Sequence, residues 1–129
     1  MSHKPNGFTI VELLIVIVVI AILASITIVS YNGIQNRAKS LAALTLAQNV
    51  RKSVEINLID KGTYPTISEM TDAAALGKID SAAFTASAAT PTTEKHVRYV
   101  QCGTPVSGAQ ITYRIFPAGT ESIILGTCS

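Results

Sequence analysis

Hydrophobic positions divide the chain into an unbroken apolar segment near the N-terminus and a patterned remainder. Over residues 8–29 almost every side chain is aliphatic, and Glu12 is the only charged one. As a helix, residues 8–31 would be roughly 36 Å long, enough to cross a hydrocarbon core of about 30 Å. The segment therefore predicts a helix that can span a membrane, where backbone groups must be paired within the helix itself.

The residues after Tyr31 keep a helical period but become one-sided. Polar residues collect on one side, among them Gln48, Asn49, Arg51, Lys52, Ser53 and Glu55. Apolar residues recur at spacings of three and four, which is typical of a helix with one face against a core. These are Ala43, Leu46, Ala47, Val50, Val54 and Leu58. The pattern predicts one long helix whose second half, residues 31–59, packs on a folded unit.

Residues that oppose helical backbone mark the end of this helix. Gly62 offers a terminator and Pro65 bars continuation, so the helix should stop near Asp60. Residues 8–59 would then form a helix roughly 78 Å long. Gly33 is the expected point of bending or melting, because an interior glycine costs about 1 kcal/mol relative to alanine.

The region after the long helix, residues 60–129, begins with a helix signal and a loop signal. Thr66 and Glu69 have the spacing of a capping box, which predicts a short helix that Gly77 would end. Residues 80–95 are small and polar, which is typical of a surface loop.

Three strand patterns follow, at residues 96–102, 109–116 and 121–128, and the short connections with Gly and Pro favour an antiparallel meander. In the second strand Ile111, Tyr113 and Ile115 alternate with Thr112 and Arg114, which predicts one buried and one wet face. The buried face should cover the apolar stripe of the helix. The predicted fold class is α+β, a long N-terminal helix on a small antiparallel sheet of about three strands.

The cysteine pair indicates the compartment of the protein, whereas its net charge does not indicate a binding partner. Ten Lys and Arg against eight Asp and Glu leave a net charge of only +2, far from the basic stripe of a dedicated nucleic-acid binder. Cys102 and Cys128 are the two cysteines, and an even pair outside the membrane is most simply a disulfide in an oxidising, extracytoplasmic compartment. Closing a loop of about 26 residues would stabilise the fold by about 3 kcal/mol in the chain-entropy model.

Signals of catalysis are weak throughout the sequence. His96 and Cys102 could pair as a base and a nucleophile, although a disulfide explains the cysteine better. The turn at residues 103–108 lacks the Gly-Lys-Ser/Thr ending of a phosphate loop, and no metal-binding motif occurs. The sequence therefore predicts a protein that is not an enzyme and needs no cofactor or metal.

The N-terminus reads MSHKPNG-FTIVEL, a short polar leader with Lys4, then Gly7, Phe8, Thr9 and Glu12 entering the apolar helix. A secretory signal would instead place its cleavage site after the apolar region. This arrangement resembles the N-terminus of type IV prepilins over residues 4–40. The resemblance implies the type IV pilin fold, cleavage after Gly7 by prepilin peptidase, N-methylation of Phe8, and a need for Glu12 in filament assembly.

The same resemblance gives the domain organisation. Residues 1–7 would be the leader peptide, 8–30 the membrane-spanning and filament-core half of the helix, 31–59 its amphipathic half, and 60–129 the loop and sheet region. A single-pass precursor in the cytoplasmic membrane would pass through the pilus assembly machinery into an extracellular homopolymer, a pilus. Lys4 and the later basic residues leave the orientation ambiguous by charge, whereas the cysteines favour the C-terminal part outside.

A carboxylate at the depth of Glu12 costs about 2.5 kcal/mol or more, so it is a functional hypothesis by default. Cleavage after Gly7 would give Phe8 a free amine, and the resemblance implies that in the filament the amine of one subunit meets Glu12 of its neighbour. Axial slip would leave both charges unpaired, so the pair would fix register. The alternative is that Glu12 lies at headgroup level or is protonated.

Three other functions fit parts of the sequence. A pseudopilin of a type II secretion or competence system shares the N-terminus, although the cysteine pair and the lack of an acidic cluster after Asp80 favour the pilus. A membrane-anchored binding domain that never polymerises would leave Gly7 uncut and Glu12 dispensable. A DNA-binding patch could form from Lys95, Arg98 and Arg114 with Tyr99 and Tyr113, although a solvated sheet face explains the same residues.

Overall fold

A computed structural model of the chain describes residues 7–85 and 89–128. The chain divides after Gln35 into two units, an apolar unit (Met1–Gln35) and a sheet unit (Asn36–Ser129). Helix α1 (Ile10–Lys61) contributes residues to both. The predicted leader lies outside the described residues except for Gly7.

In the apolar unit, none of the residues that the structure describes covers α1. Every described residue up to Ile34 is exposed, including large side chains such as Phe8, Leu13 and Ile20. By length and composition α1 can cross a membrane. The helix continues without interruption through Gly33, and a bend there stays a prediction.

The end of α1 confirms the predicted stop to within two residues. Gly62 has a φ of 73°, and its N–H donates to the Leu58 carbonyl at 2.8 Å. This left-handed glycine satisfies one of the carbonyls that a helix end leaves unpaired. The chain then turns into the segment that leads to the second helix.

Helix α2 (Ile67–Thr71) begins as predicted and ends earlier. Thr66 Oγ1 accepts the Glu69 N–H and the Glu69 carboxylate accepts the Thr66 N–H at 2.7 Å, a complete capping box. Asp72 leaves the helical region, with ψ at 143°, and its carboxylate accepts the Ala74 N–H at 3.0 Å. That local bond competes with another helical turn, so the expectation that Gly77 ends the helix is wrong.

The sheet is an antiparallel meander in the order β1-β2-β3, as the sequence predicts. Its strands are β1 (Val97–Cys102), β2 (Gly108–Arg114) and β3 (Thr120–Gly126). Before β1, a 3-10 turn (Ser81–Ala83) and a bridge between Phe84 and Val97 give part of the predicted loop some regular structure, while residues 86–88 lie outside the described residues.

One face of this sheet and the stripe of α1 form the core of the sheet unit. The helix contributes four residues of the predicted stripe, and the sheet contributes alternate residues of β1 and β2. The fully or almost fully buried set is Ala43, Ala47, Val50, Val54, Met70, Val97, Tyr99, Ala109, Ile111 and Tyr113. Leu46 and Leu58 are half-buried at its edge.

Three polar side chains are buried that the sequence pattern does not place in the core. Ser53 and Asn57 are buried on α1, and the Asn57 amide donates to the Ser53 carbonyl at 2.8 Å. Asn57 also donates to the Leu76 carbonyl at 3.4 Å, because the chain after α2 folds back over this side of α1. Thr112, predicted to be wet, is buried and shares a hydrogen bond of 3.0 Å with Ser122 on the neighbouring strand.

Cys102 and Cys128 form a disulfide, with Cα atoms 5.2 Å apart and a separation of 26 residues. Cys102 is the last residue of β1, and Cys128 follows β3. The bond therefore joins the two outer strands of the sheet across the start of β2.

Replacing Ile111 tests the core directly. Ile111 is fully buried on the central strand, so Ile111→Ala should lower the free energy of unfolding by about 2 to 5 kcal/mol and Ile111→Val by about 1 kcal/mol. Ile124→Ala, on an exposed side chain of β3, should change it by no more than about 0.5 kcal/mol. Urea unfolding of the full chain in detergent, followed by tyrosine fluorescence, measures this; equal effects of the two alanine variants would contradict the core assignment.

Glu69 makes the stability dependent on pH. The Thr66 N–H and then Lys61 Nζ, at 3.1 Å, hold the pKa of Glu69 at about 2 instead of 4.5. A pKa that is depressed on folding stabilises the protein above the unfolded pKa, and this contribution is lost as pH falls toward the folded one. Between about pH 5 and about pH 2 the melting temperature of the native chain should fall further than that of Glu69→Gln. Parallel curves for the two chains would show that Glu69 contributes nothing to the acid sensitivity.

Candidate functional site

The start of α1 brings Thr9 and Glu12 together in a second capping box. Glu12 Oε2 accepts the Thr9 N–H at 2.9 Å and the Thr9 hydroxyl at 2.8 Å, and the Glu12 N–H donates to Thr9 Oγ1 at 3.2 Å. Free N–H groups at a helix start favour such a partner, and the helix dipole favours negative charge there. Glu12 is therefore tied to its own chain, a contact that the sequence analysis missed although the Thr-x-x-Glu spacing was visible.

The capping box leaves part of the carboxylate available. All hydrogen bonds that described residues give to Glu12 use Oε2. An ionised carboxylate has about four acceptor positions, so Oε1 can take a further donor while the box stays closed. The geometry allows Glu12 to cap its own helix and at the same time to bind a cation.

The surroundings of Glu12 are apolar and open. A shallow depression of about 380 Å³ is lined by Phe8, Glu12, Leu13, Ile15 and Val16. Phe8 is 86% exposed, and Gly7, Phe8 and Thr9 have no regular secondary structure. The predicted cleavage point therefore lies in irregular chain just ahead of the helix.

The predicted basic and aromatic patch does not form. Side chains alternate between sheet faces, so Tyr99 and Tyr113 point into the core while Arg98 and Arg114 lie on the other face. Tyr99 Oη donates to the Pro65 carbonyl at 2.7 Å, and burial raises the pKa of this tyrosine strongly. Tyr113 Oη donates to Glu121 at 2.7 Å, and burial together with this bond raises the pKa of Tyr113 to about 12.

A different aromatic ring accompanies one of these arginines. The Arg114 guanidinium lies 5.8 Å from the centre of the Phe116 ring, and Lys39 Nζ lies 5.6 Å from it. Phe116 follows β2 and carried no sequence signal for this position. The basic part of the predicted patch therefore remains, with Phe116 in place of the tyrosines and with Lys39 from α1 added.

The other candidate residues find structural partners. Cys102 is half of the disulfide and holds no free thiol, so the pairing with His96 as base and nucleophile is wrong. His96 Nδ1 lies 2.6 Å from Thr93 Oγ1. Within residues 7–85 and 89–128, no group of three or more His, Cys, Asp or Glu is arranged to hold a metal ion.

Known proteins resemble this chain mainly over its N-terminal part. The model of the prokaryotic N-terminal methylation motif matches residues 2–28. The chain is 32% identical over 65 residues to the type IV major pilin protein PilE of Neisseria gonorrhoeae, covering 50% of this chain and 39% of that protein. It is 35% identical over 65 residues to the fimbrial protein EcpC of Eikenella corrodens, covering 50% and 42%.

A secretion protein is matched over a similar region. The type II secretion system core protein G of Aeromonas hydrophila is 29% identical over 72 residues, covering 56% of this chain and 50% of that protein. The matched region thus spans half or less of the length of these relatives, and no solved structure matches. The methylation motif, the pilin relatives and the helix-on-sheet fold together support a type IV pilin or a closely related pseudopilin.

Proposed function

We propose that this chain is the structural subunit of a type IV pilus. It is inserted in the membrane as a prepilin, cleaved after Gly7 by prepilin peptidase, N-methylated at Phe8 and polymerised into a surface filament by the pilus assembly machinery. The observation that carries the proposal is the N-terminal site: a helix whose apolar half is exposed throughout, whose start lies within the methylation motif of residues 2–28 and is capped by Thr9 and Glu12.

An exposed apolar helix of this length needs a cover in both states of such a protein. Burying apolar surface stabilises by about 25 cal/mol per Å², and exposed patches beyond a few hundred Å² mark interaction sites. Before assembly lipid is the cover, and afterwards the helices of other subunits are. Lipid tails and aliphatic side chains are similarly apolar, so hydrophobicity alone gives little preference between the two covers.

Glu12 supplies that preference. In lipid its charge is stabilised by the Thr9 N–H and hydroxyl, and Oε1 is left for another donor. The amine of a cleaved and methylated Phe8 on a neighbouring subunit is a cation of the right sign at the same depth. An ion pair in a low-dielectric environment is strong and depends steeply on position, so it fixes the axial register between subunits.

The disulfide favours the sheet unit on the extracytoplasmic side, since such bonds persist in oxidising compartments. The precursor is thus a single-pass protein of the cytoplasmic membrane, and the filament is extracellular. Adhesion, twitching motility and DNA uptake are family functions that this filament could serve.

A pseudopilin is the second candidate, favoured by the match to type II secretion system core protein G. It shares cleavage, methylation and polymerisation, but its fibre serves a secretion or competence system. Expression beside each assembly system separates the two, because a pilin gives long fibres on the cell surface with the pilus system. A binding domain that never polymerises predicts an uncut chain in the membrane with either system.

Sequencing the N-terminus of sheared surface protein tests the proposal. Cells that express the chain with a pilus assembly system should release fibres whose subunit begins with methylated Phe8. An intact Met1 in the membrane fraction, with no fibres, would exclude cleavage and assembly together.

Glu12→Ala should abolish sheared fibres while the precursor remains stable in the membrane, because the register contact is lost and the membrane span is not. Glu55→Ala is the matched control, since it removes an exposed carboxylate of the same helix that pairs with Arg51 at 2.8 Å. Fibre yield measured by immunoblot should be normal for that control. Normal yield with Glu12→Ala would refute the register role.

A further inference from the structure

The outer face of the sheet, which points away from α1, carries positive charge without negative charge. The strand residues that alternate onto it with a side chain are Arg98, Val100, Cys102, Gln110, Thr112, Arg114, Thr120, Ser122 and Ile124. Two are cations, none is an acid, and hydroxyl and amide groups occupy most of the remainder. A sheet face that served only solubility would usually mix both signs.

Arg98 and Arg114 are neighbours on this face. Arg98 pairs in register with Thr112, and Arg114 lies two residues further along the same strand. The Nε atoms of both guanidiniums are buried and without a hydrogen-bond partner among the described residues. The ion pairs among the described residues are Arg51–Glu55 and Lys61–Glu69. Neither Arg98 nor Arg114 is therefore neutralised by a described carboxylate.

Lys39 brings a third cation to one end of this face. Its ammonium and the Arg114 guanidinium both lie against the Phe116 ring, and the Phe116 N–H donates to Ser40 Oγ at 2.9 Å. That bond fixes the end of β2 on α1, and Arg114 Nη2 also donates to the Pro117 carbonyl at 3.3 Å. Arg114 is thus held in place beside Lys39, and the mutual repulsion of the neighbouring cations favours an anionic partner.

The same sheet unit carries complementary charge elsewhere. A cleft of about 270 Å³ at the C-terminal end of α1 is lined by Asn57, Asp60, Lys61, Glu69 and Asp72 among others. Lys61 and Glu69 neutralise each other at 3.1 Å, whereas Asp60 and Asp72 form no ion pair with a described residue. Asp60 follows Lys39 on α1 by roughly 32 Å of helix, so the cleft lies apart from the end of the sheet face that carries Lys39 and Arg114.

We propose that the outer sheet face of one copy, through Arg98 and Arg114, binds the Asp60–Asp72 cleft of a second copy. Guanidinium and carboxylate groups are the strongest charge-assisted pair available to side chains and match in planar geometry. Two different patches of one molecule that complement each other form a head-to-tail contact, which repeats without closing. This contact would join sheet units along the fibre, and in that setting it rests on the proposed pilus function.

Charge reversal with a reciprocal rescue tests the contact. Two differently tagged forms of the full chain are mixed in detergent, in the native and the Glu12→Ala background, and their association constant is measured against salt. Arg98→Glu with Arg114→Glu, or Asp60→Lys with Asp72→Lys, should each weaken self-association about tenfold. Mixing the two double variants should restore it, because each reversed patch then meets its complement.

Arg51→Glu with Lys52→Glu, on the exposed side of α1, is the matched control and should leave association unchanged. Non-reducing electrophoresis checks that each variant has formed the disulfide. No loss in either double variant, or loss without rescue in the mixture, would overturn the contact. Loss of polyphosphate binding in the arginine variant, with self-association intact, would instead assign the face to another polyanion and overturn the contact equally.

The fibre assay separates this contact from the proposed function. Wild-type chains that associate in a salt-dependent and rescuable manner but give no fibres would refute the pilus and leave the contact standing. Normal fibre yield from both double variants, with methylated Phe8 at the N-terminus, would refute the contact and leave the pilus standing.

Discussion

The structure depends on one constraint: the apolar half of α1 is covered by none of the residues that the structure describes. In the sheet unit the same helix buries a stripe of small and branched residues, including Ala47 and Val50, against β1 and β2. In the apolar unit even the largest side chains remain open. A helix with these two environments is stable in isolation only in part, so lipid or other subunits complete its fold. In the proposed pilus, assembly would complete the folding of this helix.

Glu12 restricts how the apolar half of α1 can pack against other helices. Purely aliphatic helices could slide past one another at little cost, because dispersion contacts are similar in many registers. A carboxylate that is capped by Thr9 has a fixed position and one oxygen still available. The capping box thus lowers the free-energy cost of a charge in the apolar segment, and it fixes the position of that charge on the helix.

Sequence patterns predicted what depends on spacing and missed what depends on packing. The helix end at Gly62, the capping box at Thr66 and the meander all follow from local rules, and the structure confirms them. The prediction that Tyr99 and Tyr113 share a surface with Arg98 and Arg114 is wrong. Adjacent residues of a strand point to opposite faces of the sheet, so the tyrosines lie in the core and the arginines on the outer face. Ser53 is buried because a later segment folds over it, and no helical period carries that information.

In the proposed pilus, the disulfide would have a mechanical consequence when the fibre is pulled. Cys102 ends β1 and Cys128 follows β3, so the two edge strands are joined across the central one. Without that bond, tension on the C-terminal end of the chain could separate β3 from β2 one hydrogen bond at a time. With it, the load also passes through the disulfide into the end of β1, so β3 cannot be drawn away from the sheet while β1 stays in place. The covalent bond thus protects the strand of the sheet that lies nearest the C-terminal end.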